Sequence, residues 1–112
     1  MKNFQAAFDK AKKIAAACDG YAVVAVRGVA ATKILMWPTG WALKYQDTKV
    51  VDFGVSEVVP ELNSGGFYTR TTAVRMNQAL QLAGSQWRVR RSQGRFVVNE
   101  GNGVERSFIN KY

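Results

Sequence analysis

Hydrophobic positions near the start of the chain recur with the spacing of a helix. They lie four, three, four and three residues apart, which places them on one helix face: Phe4, Phe8, Ala11, Ala15 and Cys18. Asn3 is the expected N-cap of this helix, and Gly20 lies just beyond its predicted end. The apolar face is small and rich in alanine, which favours packing on a sheet over binding to a membrane surface.

The next apolar segments have the length and composition of strands. Strands are expected over four ranges: 21–27, 32–37, 41–46 and, more weakly, 50–55. The first of them is expected to be buried on both faces. Pro38, Thr39 and Gly40 predict a three-residue hairpin loop in which the glycine adopts a left-handed conformation. These segments together predict an antiparallel meander.

A second helix follows a predicted connecting loop over residues 56–66. Thr71 or Thr72 is the expected N-cap and Gly84 the stop signal of this helix. Its apolar face is expected to consist of Ala73, Met76, Leu80 and Ala83. A hairpin over 87–98, a turn over 99–103 and a last strand over 104–109 are expected after it.

The order of these elements predicts the fold class. We expect one α+β domain over residues 1–112, in which two helices pack on an antiparallel sheet of about five to six strands. The expected order is α-β-β-β-(β)-α-β-β-(β).

The hairpin WRVRRSQGRFVV combines arginines with apolar residues, and the alternation of side chains across a strand sorts them. A single apolar face excludes a three-residue loop and leaves a loop over 93–94 or over 91–94. Either loop directs three arginines outward: Arg88, Arg90 and Arg95. Either loop directs four residues inward: Trp87, Val89, Phe96 and Val98. Arg91 is expected at or beside the tip.

Positive charge is concentrated in the second half of the chain. The net charge is +8, and residues 63–99 contain six arginines and no acidic residue. The planar guanidinium group suits phosphate, so a projecting basic hairpin predicts contact with nucleic acid. The alternative is a solvated surface neutralised by the acidic segment 47–62, which contains Asp47, Asp52, Glu57 and Glu61.

Arg70 and Arg75, near the start of the second helix, extend this predicted basic surface, because a helix N-terminus also favours phosphate. Ordinary helix capping is the alternative interpretation. The stretch TRTTAVRMNQAL, residues 69–80, resembles a Thr-Thr and Asn-x-x-Leu pattern of small uncharacterised bacteriophage proteins. The resemblance implies a phage protein, without an activity or a site.

Three aromatic residues form the other candidate group. Trp37, Trp41 and Tyr45 fall at odd positions with Leu35 and Leu43, so we expect all five on one face. An exposed face would let unpaired bases stack on the rings. A buried face would make them core, and the neighbouring leucines favour that alternative.

The chain has no histidine and one cysteine, Cys18. We therefore expect no internal disulfide, no metal and no cofactor, and a reducing, cytoplasmic location. No apolar run is long enough to span a membrane, so no membrane partner is expected. An enzymatic alternative is a histidine-free ribonuclease toxin that would use Arg88, Arg90, Arg95, Arg106 and Tyr112.

These observations predict a non-enzymatic accessory protein that binds DNA or RNA with little sequence specificity. The predicted phosphate-binding residues are Arg88, Arg90, Arg91, Arg95, Arg70 and Arg75. A protein-interaction module or inhibitor that docks on an acidic partner protein is the alternative, because it would use the same charge.

Overall fold

The computed structural model describes residues 1–17, 20–54 and 59–112, so Cys18 and Glu57 lie outside the described residues. The elements within these ranges are α1 Lys2–Ala17, β1 Ala22–Ala25, β2 Thr32–Trp37, β3 Gly40–Tyr45, β4 Thr48–Asp52, β5 Glu61–Leu62, α2 Arg70–Leu82, β6 Arg88–Ser92, β7 Arg95–Asn99 and β8 Glu105–Phe108. Neighbouring strands pair antiparallel. The predicted α+β class and the placement of two helices among the strands are confirmed.

The strands form two sheets rather than the single sheet that the sequence predicted. β1 to β5 form a five-stranded sheet in chain order, and β6 to β8 form a three-stranded sheet. Leu62 and Tyr112 exchange two backbone hydrogen bonds of 3.0 and 2.9 Å, and the N–H of Ser64 donates to the C=O of Asn110 at 2.9 Å. The residues after β8 therefore pair with the edge of β5 and join the two sheets.

Both helices pack on the same face of the five-stranded sheet. α1 contacts β1 and β2, α2 contacts β3, β4 and β6, and the helices contact each other. Trp41 lies at the centre of this core, with its ring centroid 5.0 Å from that of Phe8 and 5.1 Å from that of Phe53. In the described part of the chain, neither helix is long and apolar enough to cross a membrane.

The helix starts differ from the sequence prediction. α1 begins at Lys2, so Asn3 lies within its first turn, where Nδ2 donates to the C=O of Arg27 at 2.9 Å. Thr69 is the N-cap of α2, and its Oγ1 accepts a hydrogen bond of 3.2 Å from the N–H of Thr72. The predicted caps are therefore wrong: Asn3 lies inside the helix and bonds to a distant backbone group, and of the neighbouring threonines Thr69 is the one that caps α2.

β1 is an edge strand with only one buried face. Ala22 and Val24 are buried, whereas Val23 and Ala25 are exposed. The predicted burial of this strand on both faces is wrong, because the helices cover only one side of the sheet.

The hairpin between β2 and β3 turns through two residues rather than the predicted three. Trp37 pairs with Gly40, and Met36 pairs with Trp41. Gly40 is not in the left-handed region. A Cβ atom at this position would instead overlap the carbonyl oxygen of Phe53, so the close passage of another backbone requires glycine. The shift of one residue in register reverses the face on which each β2 side chain lies relative to β3.

Candidate nucleic-acid interface

The arginine-rich hairpin turns through Gln93 and Gly94, both with positive φ, at 52° and 73°. This is the geometry of the two-residue turns that match the twist of paired strands. Ser92 pairs with Arg95, so the two-residue alternative of the sequence analysis is the one adopted. The predicted inward residues are confirmed, with Trp87 half-buried and the others buried: Val89, Phe96 and Val98.

Arg90 and Glu105 form a two-point ion pair on the outer face of the three-stranded sheet. Arg90 Nε and Nη2 donate to Glu105 Oε2 and Oε1 at 3.1 and 2.8 Å. The hydrogen bond to Arg90 lowers the pKa of the Glu105 carboxyl. An exposed pair of this kind contributes little stability, and its main effect is to neutralise one hairpin arginine. The acid that neutralises Arg90 comes from β8, and no described acid of the segment 47–62 forms an ion pair with a hairpin arginine.

The register keeps the outward arginines apart from one another. Arg88, Arg90 and Arg95 are exposed as predicted. Their direct cross-strand partners are Asn99, Val97 and Ser92. Arg88 Nη1 donates to the C=O of Ser85 at 2.7 Å, whereas Arg95 forms no side-chain hydrogen bond or ion pair with the described residues. Like charge is therefore less crowded on this hairpin than its sequence indicates.

Arg91 lies on the other face of the hairpin, next to α2. Arg91 pairs with Phe96 and lies two residues after Val89, so its side chain is on the same face of the strand as that of Val89. With Arg70 it lines a cleft of about 390 Å³, here named the arginine cleft, whose other lining residues are Ala73, Val74, Asn77, Val89 and Arg90. None of these lining residues is acidic. Arg91 is close to the tip of the hairpin, as predicted, but its side chain lies on the face next to α2 and not on the outer face.

Asn77 of α2 fixes the position of β6 beside the helix. Its Nδ2 donates to the C=O of Val89 at 2.8 Å, and its Oδ1 accepts from the N–H of Val89 at 2.7 Å. β6 is an edge strand, so this amide satisfies backbone groups that have no neighbouring strand. In an antiparallel ladder the N–H and C=O of Arg91 face the same edge.

Arg75 does not line the arginine cleft. Its Nη1 donates to Gln78 Oε1 at 2.8 Å, and its guanidinium carbon lies 5.8 Å from the ring centroid of Tyr45. Arg70 and Arg75 are five positions apart on α2 and so lie on different helix faces. Arg75 thus packs between α2 and the first sheet.

Trp37, Trp41 and Tyr45 do not share a face. Trp41, 7% exposed, belongs to the core, as the core alternative predicted. Tyr45 lies on the same face of the sheet, beside Arg75. Trp37 lies on the opposite face, half-buried, with Lys49 Nζ 5.2 Å from its ring centroid. The predicted common face is wrong because it assumed a three-residue loop.

Three lysines that are not among the predicted site residues are aligned across the first sheet, two of them by the two-residue turn between β2 and β3. Lys33 of β2 pairs with Lys44 of β3, which pairs with Lys49 of β4. We name these residues the lysine row. A three-residue loop would have placed Tyr45 opposite Lys33 and hidden this alignment.

The residues of the ribonuclease alternative are not gathered at one place. Tyr112 packs on the inner aromatic cluster and donates a hydrogen bond from Oη to Glu100 Oε2. Burial, and then this hydrogen bond, raise the pKa of the Tyr112 phenol. Arg106 Nε lies 3.9 Å from the same carboxylate oxygen. The hairpin members of the set lie on the outer face: Arg88, Arg90 and Arg95.

Comparison with known proteins finds no matching family model, no matching curated protein and no matching solved structure. The resemblance of residues 69–80 to phage proteins stays a prediction. Within that stretch Asn77 holds β6 and Leu80 is fully buried, so both pattern positions have structural roles.

Proposed function

We propose that this protein is a non-enzymatic nucleic-acid-binding protein that contacts phosphates through the arginine cleft. One observation carries the proposal. Arg70 from α2 and Arg91 from β6 converge on a single cleft whose described lining has no acidic residue. Arg90 completes the lining, although Glu105 shares its charge.

The chemistry of the cleft suits a phosphate group. A guanidinium group can donate two parallel hydrogen bonds to phosphate oxygens. Arg70 is the first residue of α2, so the positive dipole end of the helix and the first-turn N–H groups that Thr69 does not cap lie beside its backbone. The backbone N–H of Arg91 adds a donor at the same edge of β6.

Contacts of this kind bind the nucleic-acid backbone and do not read the bases. The expected properties are low sequence specificity and an affinity that falls steeply with salt. Arg95 and Arg88 are exposed on the adjoining outer face and would extend the contact along the polymer. The proposed partner is DNA or RNA, in a reducing compartment such as the cytoplasm.

Fluorescence anisotropy with labelled DNA and RNA oligonucleotides over a range of salt concentrations tests the proposal. The double variant Arg70→Gln/Arg91→Gln should weaken duplex binding by about tenfold and reduce the log-log salt slope by about 2. Arg27→Gln/Arg106→Gln removes the same charge from exposed positions outside the cleft lining. This control should change the affinity less than about threefold.

The same assay separates the competing functions. No binding of wild-type protein at low salt would overturn the proposal. Displacement of nucleic acid by polyglutamate at equal charge concentration would favour an acidic protein partner. Prolonged incubation with RNA and ribosomes should leave the RNA intact, and cleavage would favour the ribonuclease.

A further inference from the structure

The five-stranded sheet has one face that neither α1 nor α2 covers. The core cluster contains Ile34 and Leu43, which point toward the helices. Leu35 and Ala42 are directly paired and buried, but they lie on the other face and outside that cluster. We call this side the open face. Asp52, the cross-strand partner of Ala42, also lies on the open face.

The lysine row crosses the open face over three adjacent strands. Lys33 and Lys44 are direct cross-strand partners, and so are Lys44 and Lys49. Like charges in directly opposed positions destabilise a sheet. None of the three lysines forms an ion pair with a described acidic residue. The folded chain thus keeps two repulsive pairs that a bound polyanion would relieve.

An aromatic ring lies at the end of this row. Lys49 Nζ is 5.2 Å from the ring centroid of Trp37, and because β3 separates their strands, the two side chains meet over β3. Ala42 of β3, on the same side of the sheet, is fully buried. A phosphate bound to Lys49 would bring its attached base next to the indole.

We propose that the open face binds a single-stranded nucleic acid, with phosphates on the lysine row and a base against Trp37. Neighbouring strands are about 4.8 Å apart, so the row spans roughly 10 Å of a polyanion. Unpaired bases have free faces for stacking, whereas a duplex covers them. This inference rests on the proposed function and adds the preferred form of the nucleic acid and a second contact surface.

Two triple variants test the role of the row against a matched loss of charge. The row variant is Lys33→Gln/Lys44→Gln/Lys49→Gln, and the control is Lys2→Gln/Lys10→Gln/Lys13→Gln, on the exposed side of α1. The row variant should bind oligo(dT) at least about tenfold more weakly, with a salt slope reduced by about 2 for three lost contacts to a single strand. The control should lose less than about threefold. Equal losses in the two variants would overturn the inference.

Two further measurements complete the test: the thermal stability of the row variant, and the binding of inorganic polyphosphate, a polyanion that has no bases. The row variant should unfold at the same or a higher temperature than the wild type, because the repulsion between the lysines is removed. A lower unfolding temperature would show that the variant loses binding because it is less well folded, and would overturn the inference. Trp37→Leu should weaken binding of oligo(dT) several-fold but not of inorganic polyphosphate. Equal weakening of both ligands would overturn the stacking contact.

The design separates this inference from the proposed function. Wild-type protein that binds no nucleic acid overturns both. Binding that depends on Arg70 and Arg91 but not on the lysine row overturns only the open-face inference. Binding that depends on the row but not on those arginines overturns the arginine cleft as the contact surface.

Discussion

Asn77 and Val89 are joined by two hydrogen bonds, in which the Asn77 amide both donates to and accepts from the Val89 backbone, at 2.8 and 2.7 Å. The amide of α2 takes the place of a neighbouring strand along the edge of β6. Arg70 lies on α2 and Arg91 on β6, so their common cleft depends on this contact.

Asn77→Ala should lower the free energy of unfolding by about 1–3 kcal/mol, because the N–H and C=O of Val89 lose their partner. Urea denaturation followed by circular dichroism measures the change. Gln81→Ala, at an exposed position of the same helix, is the control and should change stability by less than about 0.5 kcal/mol. Equal effects of the two substitutions would contradict the assigned role of Asn77.

Lys44→Glu should raise the free energy of unfolding by about 0.5–2 kcal/mol at low salt. The change converts two directly opposed like-charge pairs, with Lys33 and Lys49, into opposite-charge pairs. Thermal unfolding at low and high salt measures it, and screening should remove most of the gain. Lys10→Glu makes the same charge change on α1 and should not show this gain; an equal gain there would indicate net charge as the cause.

Glu105→Gln should strengthen binding to nucleic acid by roughly two- to fivefold, because it removes the negative charge that neutralises Arg90 and frees the guanidinium group for a phosphate. Anisotropy titrations at fixed salt measure the change. Asp9→Asn is the control, since Asp9 is exposed on α1 and lines neither the arginine cleft nor the open face. An equal gain from the control would show that only net charge matters.

Gly40→Ala should destabilise the protein by about 1–3 kcal/mol or more, because the added Cβ would overlap the backbone oxygen of Phe53. Thr39→Ala, an exposed change in the same turn, should leave the unfolding midpoint in urea almost unchanged. A tolerated Gly40→Ala would mean that the backbone after β4 does not pass so close to β3.

The Tyr112 phenol should titrate above its ordinary pKa of 10.0. Burial is the first cause and the hydrogen bond to Glu100 the second, so Glu100→Gln should lower the pKa only in part. A raised folded-state pKa means that the associated stability is complete below the ordinary pKa and is lost as pH rises through the folded value. The difference in tyrosinate absorbance between wild type and Tyr112→Phe measures the titration; a midpoint at or below the ordinary value would contradict the assigned environment.

The register of the arginine hairpin was predictable because apolar and charged residues alternate from Trp87 to Arg90. Only some loop lengths keep Val89 and Phe96 on one face, so parity alone excluded the wrong register. The exposed positions of Arg88, Arg90 and Arg95 follow directly from that register.

The alternation of side chains does not determine the register of the hairpin between β2 and β3. Residues 34–37 are all apolar, so a two-residue and a three-residue loop both give an apolar face. The remaining signal was the pair Lys33 and Lys44, which share a face only in the register with the two-residue turn. The apolar pattern alone therefore predicts neither the lysine row nor the separation of Trp37 from Trp41.

Local sequence patterns do not predict contacts between segments that are distant along the chain. The ion pair of Arg90 with Glu105 and the pairing of residues 110–112 with 62–64 join parts of the chain that no periodicity relates. The N-cap at Thr69 depends on a choice among neighbouring threonines that propensity does not distinguish.

The side-chain bridge from Asn77 to Val89 also bears on self-association. An unprotected edge strand can serve as a template for a strand of another molecule, which begins aggregation. Because Asn77 occupies the outward backbone groups of Val89, the outward groups of Arg91 stand alone on that edge of β6, flanked by positive side chains. One residue is a short template for a second chain, so this edge of β6 is poorly suited to strand pairing while its positive charge stays accessible to a ligand.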